Sequence, residues 1–224
     1  MTGSGLRAEG VSHRYGTGPL VLDQVDISVA SGEAVALMGP SGSGKTTLLS
    51  IMGLLTRPSS GVVTVDGDTL PQRGRTQDAA RAELFSWVFQ TVNILGQRTA
   101  TDNAALGLLA RGVARSSATE RADTALSAVG LVGRNRSLVS ELSGGELQRV
   151  CIARAMAATP RFVLADEPTG QLDHATSELV VDAMWDARHP DTALIIATHD
   201  PMVAERCDRV VHLMGGRAED RGPP

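Results

Sequence analysis

Ala34-Val35-Ala36-Leu37-Met38, continued by Gly39-Pro40-Ser41-Gly42-Ser43-Gly44-Lys45-Thr46, is the stretch that decides the fold. Its first five residues are apolar and read as a short buried strand. Lys45 to Gly53 then carries Leu48, Leu49 and Met52 at helical spacing. Strand, glycine loop and helix follow in the order that phosphate binding requires. The glycines let backbone approach an anion closely, and the N–H groups at the helix start face its oxygens with the helix dipole behind them. Lys45 is expected on the β and γ phosphates and Thr46 on magnesium, with Thr47 completing the candidate site. The competing reading, a glycine turn without a ligand, is weakened by its place between an apolar strand and an apolar helix.

Outward from this unit, Val21 to Val29 alternates apolar and polar residues with one slip, as a half-solvated strand does. Val62 to Val65, closed by Asp66-Gly67, reads as a second strand of the same antiparallel edge. Phe85 to Phe89, Phe162 to Ala165 and Thr192 to Ala197 read as further strands. Helices are expected over Glu146 to Ala158, stopped by Pro160, and over Ala175 to Ala187. Thr99 to Val129, rich in alanine and leucine, reads as a helical insertion broken at Arg111-Gly112 and capped by Ser116 or Ser117. Met1 to Gly5 and Asp220 to Pro224 read as frayed ends. The expected fold is α/β, a P-loop NTPase whose mainly parallel sheet is covered on both faces. It forms one domain of 224 residues, with an antiparallel β part near 6–34 and 61–70 and a helical part near 91–144.

Apolar residues make up 42% and charged residues 21%, and the net charge is −4. Mean hydropathy is −0.02. No apolar run approaches the roughly 18 residues that span a bilayer, and no apolar signal segment stands near Met1. The basic residues are scattered, so nucleic acid is not an expected partner. Cys151 and Cys207 lack metal-ligand spacing and read as packed thiols of a reducing cytosol.

Phe162 to Ala165 runs into Asp166-Glu167, which delivers two carboxylates to the carboxyl edge of the sheet, where open α/β folds bind ligands. Asp166 is expected to hold magnesium through its water shell, and Glu167 to orient and deprotonate an attacking water. The alternative is that one of them caps the turn before Pro168. His199 follows the strand ending at Ala197 and reads as a γ-phosphate sensor that donates a hydrogen bond. Gln90, after Phe89, could reach magnesium or the attacking water, or be a solvated loop residue.

Leu142-Ser143-Gly144-Gly145-Glu146 supplies a second glycine turn at a helix start, with Ser143 as its cap. One nucleotide does not need two such turns. Two chains that each complete the other's site would use both.

With these motifs in this order, the chain resembles the nucleotide-binding subunit of ABC transporters over nearly its whole length. The phosphate loop, Gln90, Leu142 to Glu146, Asp166 with Glu167, Asp173 and His199 all match that family's pattern. The resemblance implies ATP and Mg2+ as cofactors, Tyr15 as the aromatic platform for adenine, and a head-to-tail homodimer in the ATP state. Ser143, Gly144 and Gly145 would then act at the partner's nucleotide, and Glu146 and Asp173 would be further nucleotide-binding residues. It further implies a separate transmembrane permease and a cytoplasmic location on the inner face of the cell membrane. Val88-Phe89-Gln90, Pro168-Thr169-Gly170 and Leu172-Asp173 are similar to the lipoprotein-releasing, macrolide-exporting and cell-division group. Gly96-Gln97-Arg98 and Gln171 depart from that group's pattern. Two alternatives stand beside transport: control of an extracytoplasmic cell-wall enzyme through a membrane partner, and a soluble ATPase acting on nucleic acid.

Overall fold

The computed structural model describes residues 5–220 and 222. Two sheets organise the chain. β1 (Gly5–Arg14), β2 (Leu20–Ala30), β4 (Ser60–Val65) and β5 (Asp68–Thr69) form an antiparallel sheet in the order β2-β1-β4-β5. β3 (Ala34–Met38), β6 (Phe85–Val88), β7 (Phe162–Asp166), β8 (Ala193–Ala197), β9 (Arg209–Met214) and β10 (Arg217–Asp220) form the other, in the order β10-β9-β3-β8-β7-β6. Every pairing in this second sheet is parallel except that of β10 with β9.

Both faces of the central strands β3, β8 and β7 are buried, so β3 and β8 are apolar throughout, and β7 as far as Ala165, rather than alternating. Ala34 and Ala36 of β3, with Leu194 and Ile196 of β8, face a core shared with α5 (Gly144–Ala157) and α6 (His174–Ala187). Val35, Leu37 and Ile195 face the opposite core, which α1 (Lys45–Met52) and the antiparallel sheet close with Leu48, Leu49, Leu6 and Leu22. The loops that leave the carboxyl ends of β3, β6, β7 and β8 therefore share one edge, and the polar residues after each strand meet there.

α3 (Ala100–Ala110) and α4 (Arg115–Ala128) pack on α5 through Ala104, Leu108, Ala118, Ala122 and Leu126. Thr99 caps α3 by accepting a hydrogen bond from the Asp102 N–H at 3.1 Å. The expected cap at Ser116 or Ser117 is corrected: α4 begins at Arg115, and its N-terminal flank is Ala114. Burial of the Ala118-Ala122 stripe draws the preceding turn into the helix, and Arg115 holds Asp102 at 3.3 Å.

α2 (Gly74–Leu84) has no counterpart among the elements expected from the sequence; it contains no buried residue, so no apolar stripe marks it. α7 (Pro201–Glu205) is a single turn after β8. Gly5 and Asp220, expected in frayed ends, belong to β1 and β10. Asp220 pairs with Arg209. The rest of the two expected frayed ends lies outside the described residues, apart from Gly222, whose N–H donates to Asp220 Oδ1 at 2.9 Å. Cys151 and Cys207 are free and buried, and burial pushes the Cys207 thiol up to about 12.

Candidate active site

The loop from Gly39 to Gly44 closes against β9 and β2. A side chain at Gly39 would stand 2.2 Å from the Leu213 carbonyl oxygen. Gly44 takes φ 103 as it enters α1, with no side-chain cap among the described residues. The first N–H groups of α1 are thus uncovered, and its first turn contains no acid that would repel an anion. Ser43 Oγ is buried and has no partner among the described residues. Lys45 Nζ is held at the loop by the carbonyls of Gly39 at 2.8 Å and Pro40 at 3.2 Å.

A cleft of about 630 Å³ opens over this loop. It is lined by Gly39, Pro40, Ser41, Gly42, Gly44, Lys45, Thr46 and Thr47 from the loop and α1, and by Gln90, Glu167 and His199 from three other strand ends. Val21, assigned by its sequence only to a strand, also lines the cleft; nothing in its alternating segment marks it as a wall residue.

Thr46 Oγ1 donates to Asp166 Oδ1 at 3.0 Å. Burial raises the Asp166 carboxyl above its ordinary value and the neighbouring Glu167 adds to this, while the Thr46 hydroxyl and Lys45 oppose it. A carboxylate and a hydroxyl oxygen beside a lysine suit a hard cation shared with phosphate oxygens. Among the described residues there is no group of three or more His, Cys, Asp or Glu that could hold a metal ion.

Glu167 has φ 46, a left-handed conformation unusual for a non-glycine residue, held by its N–H donating to Ala197 O at 2.8 Å. Its Oε2 lies 2.9 Å from His199 Nδ1. Gly170 donates its N–H to Glu167 O at 3.1 Å, and a side chain there would come within 3.1 Å of Gln90 Nε2. Tyr15, 58% exposed, is not among the lining residues, but its hydroxyl lies 3.1 Å from Oγ1 of Thr47, which is.

The second glycine turn stands apart: the cleft lining includes none of Ser143, Gly144, Gly145, Glu146 or Asp173 among the described residues. Ser143 caps α5 reciprocally with Glu146, its N–H reaching Oε2 at 2.9 Å and its Oγ accepting the Glu146 N–H at 3.3 Å. The Ser143 N–H holds the Glu146 carboxyl below its ordinary range. Asp173 caps α6, and the Thr176 N–H lowers its carboxyl likewise. Ser143 and Gly144 are exposed, whereas Gly145 is buried under Thr176, whose Cγ2 is 2.2 Å from where a side chain on Gly145 would begin.

A glycine loop feeding a helix, a strand-end carboxylate bonded to the loop threonine and a doubly wound parallel sheet define a P-loop ATPase. The family model for "ABC transporter" matches residues 22–170, and the chain belongs to that family as an ATP-binding cassette. It is 44% identical to the lipoprotein-releasing system ATP-binding protein LolD of Bordetella pertussis over 97% of this chain and 96% of that one. It is also 44% identical to LolD of Anaeromyxobacter dehalogenans, over 97% and 94%. Among solved structures, the dimeric post-hydrolysis state of the ATP-binding cassette MJ0796 bound to ADP and Pi superposes with a TM-score of 0.86. That match has 30% identity and covers 98% of this chain and 99% of the other. The chain is the ATPase component of an ABC transporter. Among the described residues no helix is long and apolar enough to cross a membrane.

Proposed function

We propose that this cassette closes head to tail with a second copy around two ATP molecules and drives a separate permease that extracts lipid-modified protein from a membrane. The observation that carries the assembly is the separation of the two glycine turns. The loop from Gly39 to Thr46 shares its cleft with Glu167 and His199, while the capped, exposed turn at Ser143-Gly144 lies outside that lining. A helix start so presented is suited to phosphate on another chain.

In this reading Lys45 and the uncovered N–H groups of α1 hold the β and γ phosphates, and Tyr15 takes the adenine face. Thr46 and Asp166, with Gln90, would hold magnesium, which when bound neutralises charge on the phosphate oxygens. Glu167 accepts a proton from the attacking water, and His199 holds Glu167 in place beside the γ phosphate. Ser143, Gly144 and Gly145 close on the partner's nucleotide, with Glu146 and Asp173 keeping their helix starts in shape. The chain divides into an antiparallel part (6–34, 61–70), a helical part (91–144) and the remaining core, so the helical part moves as the dimer closes.

The proposed cargo class is supported by the relatives' lipoprotein-releasing names, which favour transport over control of a cell-wall enzyme. Such work places the cassette on the inner face of the cell membrane beside its permease. The test is light scattering on Glu167→Gln protein with ATP and magnesium. A stable dimer with retained nucleotide is expected; a protein that stays monomeric and releases ATP refutes the assembly.

A further inference from the structure

β1 buries Val11, Ser12 and His13 in succession, which breaks the two-residue alternation of a strand. The cause is a pair of register shifts against β2, one between Val11 and His13 and one between His13 and Arg14. Such bulges re-aim side chains, often beside functional sites. Here they turn inward a histidine that is 7% exposed and whose Nδ1 and Nε2 both lack a partner among the described residues. Buried polar atoms are ordinarily bonded, so an imidazole is an unfavourable filling for this place unless its ring has a use.

The ring meets Tyr15, with centroids 4.7 Å apart and planes at 84°, an edge-to-face pair. Tyr15 in turn reaches Thr47 on α1. Across the sheet His13 pairs with Leu22, whose Cδ2 lies 2.8 Å from where a side chain on Gly44 would begin. His13 thus stands behind the one tyrosine of the chain, while Tyr15 itself is mostly exposed, with its hydroxyl on Thr47.

We infer that His13 is a positioning residue for base recognition: its buried ring sets the plane of Tyr15 against which a nucleotide base stacks. It acts on the base-dependent part of affinity and leaves phosphate binding alone. The inference rests on the proposed ATP site with Tyr15 as the base platform.

The test is calorimetric binding of ATP and of inorganic tripolyphosphate, each with magnesium, to the parent, His13→Leu, His13→Phe, Tyr15→Ala and the His13→Leu/Tyr15→Ala pair. His13→Leu fills the space without a ring and should weaken ATP about 2- to 12-fold, the range of one aromatic pair, with tripolyphosphate unchanged. His13→Phe keeps a ring, drops the unbonded nitrogens and should bind ATP as the parent does. In the Tyr15→Ala background His13→Leu should add nothing. Equal weakening of both ligands by His13→Leu, or an undiminished ATP effect in the double variant, overturns the role. If Tyr15→Ala loses the preference for ATP over tripolyphosphate while His13→Leu keeps it, the platform stands and the His13 role falls. If Tyr15→Ala keeps that preference, the platform itself is wrong and the inference falls with it.

Discussion

His199 Nδ1 lies 2.9 Å from Glu167 Oε2, joining the ends of two adjacent parallel strands across the mouth of the cleft. An ionised carboxylate only accepts, so Nδ1 carries the proton and Glu167 is oriented by it. Glu167 is the less exposed of the two, at 17% against 72% for the histidine side chain.

Glu167→Gln should therefore lower ATP turnover by about 100- to 10,000-fold, the span of general-base catalysis, while nucleotide binding persists. His199→Ala should lose turnover with Glu167 intact, because the carboxylate is no longer held. Phosphate release under saturating ATP measures both, and a Glu167→Gln rate within threefold of the parent would refute the assignment.

Asp166 and Glu167 are both half-buried, and the raised pKa of Asp166 carries a sign. Its charged form is held less well in the fold than in the unfolded chain. The penalty is absent below the ordinary carboxylate range and fully present above the raised value, so acidification through that window stabilises the nucleotide-free protein through this group. Asp166→Asn should accordingly raise the melting temperature at neutral pH without nucleotide. It should also abolish the further rise that magnesium adds to ATP. Thermal melts with and without each ligand decide it, and a lowered nucleotide-free melting temperature would count against the burial argument.

At the second glycine turn, Ser143→Ala removes one side of a reciprocal cap and should cost about 1 kcal/mol of stability. Its larger effect should fall on dimer closure and hydrolysis, with the first ATP contact at Gly39 to Thr46 spared. Lys45→Ala should lose that contact. If Ser143→Ala weakens monomer nucleotide binding as severely as Lys45→Ala, the two-chain arrangement is wrong.

Gly53 ends α1 where Trp87 and Leu164 close in, with Cζ2 and Cδ1 at 2.2 and 2.3 Å from where a side chain would begin. Gly53→Ala should destabilise by roughly 1–3 kcal/mol through overpacking. Urea unfolding should show a lower midpoint at unchanged slope, and an unshifted midpoint would mean that the indole moves aside freely.

Where local pattern and tertiary need coincide, the sequence was legible. β3, β7 and β8 are continuous apolar runs because both sheet faces are buried, and Ser143 announces α5 because a cap is a contact over three residues. α2 is silent in the sequence because it buries nothing, and α4 starts ahead of the serines because docking of Ala118 and Ala122 outweighs their capping preference.

By itself the sequence determined the strand, glycine loop and helix from Ala34 to Met52, the apolar strands β7 and β8, the cap of α5 and the residue types that each of these strand ends delivers, since these depend on periodicity, glycine freedom and residue type. Only the tertiary structure decided that Thr46 bonds Asp166, that Glu167 takes a left-handed backbone under His199, that Gly145 is buried by Thr176 and that a bulge turns His13 behind Tyr15. These depend on register and on close approach between segments far apart in the chain. Long-range packing sets both, and no local pattern encodes them.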